Sequence, residues 1–150
     1  LTTRGVERAE VTLHVGYGTF EPVRAAELKD HSVAAERFEI SGPAAEKLER
    51  ARRDKRRIVA VGTTTARTLE HAIESGGEFR PSAGHAALTI RPGYRFRAVG
   101  ALLTNFHLPQ SSLLILVATF GGHKLIMDSY RHAVASSYRF YSYGDCMLIE

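Results

Sequence analysis

Short apolar runs alternate with amphipathic stretches along most of this chain of 150 residues. Apolar residues at every second position, or in short unbroken runs bounded by glycine and polar residues, predict β-strands. These patterns predict strands over residues 11–15, 37–40, 58–61, 87–91, 96–99, 101–103, 139–141 and 147–149. We expect the last two strands to pair as a closing hairpin, and residues 79–85 to form a loop.

Helical periodicity and capping signals predict four helices between these strands. The predicted helices begin at Pro43, after Gly62, near Ser111 or Ser112, and at Lys124. The second is expected to stop at Gly76-Gly77, and Gly121-Gly122 to separate the last two. The apolar face of the last helix is expected to consist of Leu125, Met127, Ala133 and Val134. This alternation of strands and helices predicts a mixed α/β fold.

Residues 103–120 contain the most apolar predicted helix, 113–120, which is hydrophobic on nearly every face. Such a helix is expected to be buried on all sides. The preceding turn carries the polar side chains of Asn105, His107 and Gln110. Polar groups at a strand-to-helix turn often line a site, although these groups could also serve only to hydrogen-bond the turn.

A second chemical signal follows the strand at 58–61, where the sequence reads Gly-Thr-Thr-Thr-Ala-Arg over residues 62–67. Amide groups at a helix start, threonine hydroxyls and the guanidinium of Arg67 could together bind an anion. We expect Arg67 to face a cleft rather than the core. The alternative is that Thr63 or Thr64 only caps the helix.

The net charge of +4 and the pI of about 9.5 show a mild basic bias. Much of that bias lies in one run at the end of the first predicted helix, formed by Arg50, Arg52, Arg53, Lys55, Arg56 and Arg57. Such a run is either a solvated helix end or a patch that contacts phosphates. The single cysteine, Cys146, excludes an internal disulfide and a multi-cysteine metal site, and favours a reducing compartment.

Gly16 and Gly18 follow the first predicted strand as a lone G-x-G. A dinucleotide-binding loop needs a third glycine and a following helix, and neither is present. We therefore reject that interpretation and expect a tight bend or a close backbone approach. No apolar run reaches the roughly 20 residues that a membrane-spanning helix needs.

Five segments, in this order along the chain, resemble one family. They cover residues 11–23 (VTLHVGYGTFEPV), 61–70 (VGTTTARTLE), 90–94 (IRPGY), 102–122 (LLTNFHLPQSSLLILVATFGG) and 138–149 (YRFYSYGDCMLI). The family is S-adenosylmethionine:tRNA ribosyltransferase-isomerase, and the resemblance is to its C-terminal half.

The resemblance implies that the ribosyl part of S-adenosylmethionine is transferred and isomerised onto the 7-aminomethyl-7-deazaguanine wobble base of a tRNA with a GUN anticodon, giving epoxyqueuosine. It implies a cytoplasmic protein that uses S-adenosylmethionine as the ribosyl donor and needs no metal. It also implies a single domain piece with a mixed or barrel-like sheet flanked by helices, the C-terminal part of a larger domain. The N-terminal half and an inserted small β-barrel domain are expected to be absent.

The resemblance and the two polar turns give the candidate site residues. His107 and His31 are the candidate catalytic residues. The candidate substrate-binding residues are His14, Gly16, Gly18, Gly62, Thr63, Thr64, Arg67, Asn105, Tyr143 and Asp145. The candidate tRNA-binding residues are Arg52, Arg53, Arg56 and Arg57.

Two departures from the family pattern matter. Members of the family are roughly twice as long as this chain. They also usually carry a second histidine and a glutamate soon after the histidine at position 31. This chain keeps His31 and the glutamate, Glu36, but has Ala34 in place of the second histidine. The chain could therefore be a catalytically incomplete fragment that self-associates, whereas the family is monomeric.

Two other classes compete with the enzyme hypothesis. One is a non-catalytic RNA-binding module of the same fold, which tRNA binding without turnover would reveal. The other is an S-adenosylmethionine methyltransferase, which lacks support because no glycine-rich loop joins a first strand to a first helix.

Overall fold

The computed structural model describes residues 1–16 and 22–150. Its regular elements, in chain order, are β1 (Thr12–His14), β2 (Glu36–Ile40), α1 (Gly42–Arg53), β3 (Val59–Val61), α2 (Thr63–Gly76), β4 (Ser82–Ala86), β5 (Ala101–Asn105), α3 (Ser112–Gly121), α4 (His123–Ala135) and β6 (Cys146–Ile149). Short 3₁₀ turns occur at Thr2–Arg4 and Leu28–Asp30.

The described strands form two three-stranded sheets. The first has the order β1-β2-β4 and is antiparallel throughout. The second has the order β3-β5-β6, in which β3 runs parallel to β5 and β6 runs antiparallel to it. The predicted mixed α/β class is confirmed, with the strands divided between two small sheets.

Helix α2 connects the two sheets, because it contacts β4 of the first sheet and β3 and β5 of the second. One side of the helix is fully buried through Ala66, Leu69 and Ile73. These side chains belong to a single core that includes Phe38 of β2 and Leu102 of β5. The start of α2 is therefore held in a fixed position relative to both sheets.

The region from 79 to 99 differs from the sequence prediction. Residues 82–86 form β4 instead of a loop, and residues 87–99, all described, contain no strand. For residues 97–99 the reason is the carboxylate of Glu70 on α2, which is fully buried. It accepts hydrogen bonds from the backbone N–H groups of Arg97, Ala98 and Val99, each at 2.9 Å. These donors are satisfied by a side chain, so the segment needs no neighbouring strand.

The predicted closing hairpin is also wrong. Strand β6 pairs with β5, with Leu103 opposite Leu148, and residues 139–141 are not a strand. The N–H of Arg139 donates to the carboxylate of Asp145 at 2.8 Å, and the N–H of Asp145 donates to the carbonyl of Arg139 at 2.8 Å. Residues 139–145 therefore close into a compact loop before β6 begins.

Helix α3 begins as predicted, because the Ser111 hydroxyl caps it by accepting the N–H of Leu114 at 3.2 Å. The expectation that this helix is buried on all sides is wrong. Only Ser112, Leu116 and Val117 of the helix are fully buried, and the rest are partly exposed. The described residues cover one side of the helix, chiefly through α2 and α4.

The apolar face of α4 was predicted only in part. Ala133 is buried and Met127 packs against the core, but Leu125 and Val134 are exposed, and the main buried residue is Ile126. Gly121 sets this packing, because a Cβ there would lie 2.7 Å from Cδ1 of Ile126. Only a glycine lets α3 and α4 approach so closely.

Among the described residues, no helix has both the length and the apolar character needed to cross a membrane.

Candidate functional site

A cleft of about 390 Å³ opens where β3 and β5 end. Because the two strands are parallel, their carboxyl ends meet at one edge of the sheet, a common position for ligand sites. The described residues that line the cleft are Leu13, Val15, Val61, Gly62, Thr63, Thr64, Thr65, Thr104, Asn105, His107, Leu113, Tyr141 and Ser142. The two polar turns noted in the sequence thus face each other across one space.

Gly62 forms the corner between β3 and α2. Its φ of 92° lies in the region that favours glycine, and its N–H donates to the carbonyl of Leu103 at 2.8 Å. Gly62 itself is the N-cap of the helix, so the alternative of capping by Thr63 or Thr64 is wrong. The first N–H groups of a helix have no partner inside the helix. Those of residues 63–65 are therefore available to a group in the cleft.

His107 lies on the opposite wall and is 8% exposed. Its Nε2 is 3.0 Å from the hydroxyl oxygen of Thr104, and its backbone N–H donates to the hydroxyl oxygen of Tyr130 at 2.7 Å. Burial lowers the pKa of the imidazole from 6.5 to about 4. His107 is therefore neutral at physiological pH, and Nδ1 is the ring nitrogen left for a substrate.

Asn105, at the end of β5, connects the cleft to the loop at 139–145. Its side-chain amide donates to the carbonyl of Gly144 at 3.5 Å. Tyr141 and Ser142 of the same loop line the cleft. An amide side chain in this position offers both a donor and an acceptor, which is what recognition of a base edge requires.

Arg67 is not where the sequence analysis placed it. Among the described residues it is outside the cleft lining, and its side chain is 5% exposed. The guanidinium forms a buried ion pair with Glu36 and donates to the carbonyl of Ala34 at 3.3 Å. The expectation that Arg67 faces an open cleft is therefore wrong, because a buried carboxylate on β2 attracts its charge inward.

His31 lies next to the cleft rather than in it. Its Nε2 is 2.9 Å from the hydroxyl oxygen of Ser112, and burial, together with the charge of Arg91, lowers its pKa. A small cavity of about 20 Å³ contains His31 and Arg67 in its wall. Thr63 and Thr64 line both this cavity and the cleft. His31 is therefore separated from the cleft by the start of α2.

The remaining predicted substrate residues are dispersed. His14 lies between Leu13 and Val15 on β1, so alternation places it on the face away from the cleft. Gly16 donates its N–H to Glu36 at 3.2 Å. Gly18 lies outside the described residues.

Two more of the predicted substrate-binding residues, Tyr143 and Asp145, lie in the loop that borders the cleft. Asp145 forms an ion pair with Arg139, and both side chains are exposed to solvent. Tyr143 is 95% exposed. The described lining of the cleft includes neither residue.

The basic run is largely paired with carboxylates. The ion pairs are Arg52 with Glu49 at 2.7 Å, Arg57 with Glu150 at 2.9 Å, and Arg50 and Arg56 with Glu7. Arg53 is exposed and has no ion pair with any described residue. The pairs with Glu7 and Glu150 are solvent-exposed and weak, so an arriving phosphate could exchange for those carboxylates. Glu49 is only 13% exposed.

Several residues in and around the cleft were missed by the sequence analysis. Thr104 and Ser142 line it, and Tyr130 holds one wall through the backbone of His107. The strand pattern around residue 104 could have revealed Thr104, whose polar side chain is buried in an otherwise apolar strand. No local signal points to Tyr130, since it acts through a contact that is distant in sequence.

A model of the family described as "Queuosine biosynthesis protein" matches residues 1–149. The chain belongs to this family. It is 55% identical over 149 residues to the S-adenosylmethionine:tRNA ribosyltransferase-isomerase of Anaeromyxobacter dehalogenans, covering 99% of this chain and 43% of the relative. It is 51% identical over 150 residues to the enzyme of the same name from Coxiella burnetii, covering 100% of the chain and 43% of the relative.

A solved structure extends this similarity to the fold. The crystal structure of S-adenosylmethionine tRNA ribosyltransferase from Thermotoga maritima superposes with a TM-score of 0.80 at 43% identity, over 99% of this chain and 47% of that one. The queuosine family chain described here thus spans less than half the length of the relatives it matches.

Within residues 1–16 and 22–150, no three His, Cys, Asp or Glu side chains are grouped so that they could hold a metal ion. Cys146 is a free, exposed thiol.

Proposed function

We propose that this chain supplies part of the active site of an S-adenosylmethionine-dependent tRNA ribosyltransferase-isomerase. The family match over residues 1–149 carries this proposal, together with the cleft at the ends of β3 and β5. The enzyme would move the ribosyl part of S-adenosylmethionine to the 7-aminomethyl-7-deazaguanine wobble base of a tRNA with a GUN anticodon. A tRNA substrate implies a cytoplasmic location, and no metal takes part in the proposed step.

In this proposal the two walls of the cleft have different tasks. The helix-start amides of residues 63–65 bind an anionic group, either the methionine carboxylate or a phosphate. This binding does not need Arg67, whose charge is already compensated by Glu36. Gly62 keeps the approach open, because only the hydroxyl oxygen of Thr65 lies near its missing Cβ, at 3.8 Å.

The other wall, with Asn105 and His107, recognises and activates the acceptor base. Asn105 donates and accepts hydrogen bonds at the base edge. His107 is a neutral imidazole, so it can accept a proton from an attacking amine without first losing its own. His31 acts through Ser112, which begins α3, and is therefore a positioning residue in this scheme.

The basic end of α1 is proposed to dock the tRNA backbone through Arg52, Arg53, Arg56 and Arg57. Each phosphate contact releases counterions, so each lost contact should lower the salt slope of tRNA binding by roughly one unit. Arg53→Ala should show this change, and Arg80→Ala, an exposed arginine outside the run, should not. If both variants and the parent show the same salt dependence of tRNA binding, the basic run is only a solvated helix end.

The proposed reaction is tested with the protein in its full natural length. S-adenosylmethionine labelled in its ribosyl carbons is incubated with tRNA that carries the aminomethyl-deazaguanine base, and label in RNA and free adenine are measured. We expect label transfer matched by adenine release, and none with a tRNA that carries guanine at the wobble position. Binding of tRNA without any label transfer would favour the alternative, an RNA-binding module.

A further inference from the structure

Tyr143 is the most exposed large apolar side chain among the described residues, at 95%. A single exposed aromatic ring is common on protein surfaces and needs no explanation by itself. What distinguishes this one is its backbone, which is held rigidly beside the cleft.

The ring stands at the corner of a tight turn. The N–H of Gly144 donates to the carbonyl of Tyr141 at 3.0 Å, which places Ser142 and Tyr143 at the two central positions of the turn. The turn is closed at its base by Arg139 and Asp145. The N–H of Asp145 donates to the carbonyl of Arg139, the N–H of Arg139 donates to the carboxylate of Asp145, and the two side chains pair at 3.2 Å.

Two further features fix the shape of this turn. Tyr141 has a φ of 70°, and its N–H donates to the carbonyl of Phe106 at 2.9 Å, so the loop is joined to the segment that follows β5. A Cβ on Gly144 would lie 2.5 Å from the carbonyl oxygen of Arg139. The backbone is thus constrained on both sides of Tyr143, and the ring is presented at low cost in conformational entropy.

The turn also borders the cleft directly. Tyr141 and Ser142 line the cleft, and the carbonyl of Gly144 accepts the side-chain amide of Asn105 at 3.5 Å. Tyr143 therefore directly follows two residues that line the space that holds Asn105 and His107, and its exposed ring is carried on the same turn.

We propose that Tyr143 is a stacking platform for an unpaired RNA base that neighbours the base in the cleft. This inference rests on the proposed function. An enzyme that modifies a base has to take that base out of its stack, which also exposes the flat faces of the flanking bases. Single-stranded bases are held by stacking on aromatic side chains, and a planar ring on a rigid turn provides such a surface.

The first test measures binding of an anticodon stem-loop RNA with a GUN anticodon to the full-length protein. Loss of one stacked base should weaken binding by about 5- to 100-fold in Tyr143→Ala. Tyr143→Phe keeps the ring and should bind within about twofold of the parent. Stacking releases no counterions, so the salt slope of Tyr143→Ala should equal that of the parent.

The second test uses the absence of tryptophan from these 150 residues. Tyr143→Trp in the full-length protein places a reporter on the platform. Its fluorescence, taken as the difference from the parent protein, should be quenched when the stem-loop stacks on it. Val134→Trp is the matched control, since Val134 is 68% exposed on α4 and does not belong to the described cleft lining. A fully base-paired RNA duplex without a loop should quench neither variant.

The outcomes separate this inference from the function on which it rests. If the parent binds the stem-loop and Tyr143→Ala binds equally well, the platform is overturned and the proposed function stands. If Tyr143→Phe is as weak as Tyr143→Ala, the hydroxyl rather than the ring makes the contact, and the platform is again overturned. If the parent neither binds nor modifies the RNA, both proposals are overturned.

Discussion

At the scale of single residues, the protonation state of His107 decides what the cleft can do. The imidazole is buried, and Thr104 and Tyr130 hold the ring and its backbone in place. A neutral ring has a free lone pair near pH 7 and can accept a hydrogen bond from a substrate, whereas an imidazolium could only donate.

This state predicts how stability depends on pH. The pKa of His107 falls from 6.5 to about 4 on folding, so the unfolded chain binds more protons between these values. The contribution of the neutral His107 to the free energy of unfolding is complete above about pH 6.5. It is lost as the pH falls toward 4, because the unfolded chain then takes up a proton that the folded chain does not. From pH 7.5 to 5, we expect a loss of ~2 kcal/mol in the free energy of unfolding.

Urea unfolding of the parent and of His107→Gln at both pH values measures this loss. The variant should lose less stability than the parent over the same range. An NMR titration of His107 with a midpoint near 6.5 would contradict the buried, neutral imidazole.

Arg67 gives a prediction about folding. Arg67→Ala leaves Glu36 buried without its cation, which typically costs about 3–5 kcal/mol. Arg37→Ala is the matched control, because Arg37 is exposed on the same strand as Glu36 and should change stability by less than about 0.5 kcal/mol. Thermal and urea unfolding measure both variants.

A third variant separates the charge from the packing. Replacing both Arg67 and Glu36 by apolar residues of similar volume should recover much of the lost stability. If Arg67→Ala unfolds like the parent, the ion pair is not a structural element and Arg67 is free to bind ligands.

At the scale of elements, Glu70 organises the segment that precedes β5. Its carboxylate accepts three backbone N–H groups and the hydroxyl of Tyr94, which donates at 3.1 Å. Burial, aided by this carboxylate, raises the pKa of Tyr94. The Tyr94 hydroxyl therefore stays protonated and keeps donating.

Glu70→Gln should disturb this segment strongly. An amide offers one acceptor oxygen and directs an NH₂ group at backbone donors, so at least one buried N–H loses its partner, at a cost of about 1–3 kcal/mol. Hydrogen exchange at residues 97–99 should accelerate. The control is Glu74→Gln, one turn later on α2 and exposed, where exchange should be unchanged. Equal protection in both variants would show that Glu70 does not hold the segment.

The elements show which parts of the fold the sequence can predict. Strand β3, helix α2 and the N-cap of α3 carry their signals locally, in an apolar run, a glycine pair and a capping serine. The segment after β4 was misassigned because its donors are satisfied by Glu70, 27 to 29 residues earlier. The partner of β6 was misassigned because periodicity does not specify which strand pairs with which.

In the candidate site too, features with a local sequence signal were predicted, and features that depend on contacts distant in sequence were not. Gly62, Asn105 and His107 were predicted because polar or glycine residues directly after apolar strands mark the edge of a sheet. Arg67 was misplaced because its partner, Glu36, lies 31 residues away and leaves no mark beside it in the sequence. The roles of Tyr143 and Asp145 remain predictions.

At the scale of the whole molecule, the described chain exposes an apolar sheet surface. The register places Val61, Leu103 and Leu148 side by side on one face of the second sheet. Val61 is 65% exposed and Leu148 is 56% exposed. The relatives are more than twice as long as this chain, which covers 43% of two of them.

We expect the isolated 150 residues to self-associate through this face and to transfer no ribosyl group. Sedimentation velocity should show oligomers that diminish in Val61→Lys, since a charge opposes burial of the face. Val134→Lys, at an exposed position of α4, is the control and should leave the oligomers unchanged. Ribosyl transfer by the isolated chain would contradict this expectation.

We place the chemistry in the cleft between α2 and the end of β5. The most direct measurement is the single-turnover rate of label transfer from ribosyl-labelled S-adenosylmethionine to tRNA by the full-length protein carrying His107→Asn, with His85→Asn as the control. His85 is exposed on β4, and among the described residues it is outside the cleft lining. We predict a fall of about 10²- to 10⁴-fold for His107→Asn, the range for loss of a proton-transferring group, and an unchanged rate for His85→Asn. Equal rates for His107→Asn and the parent would contradict the account.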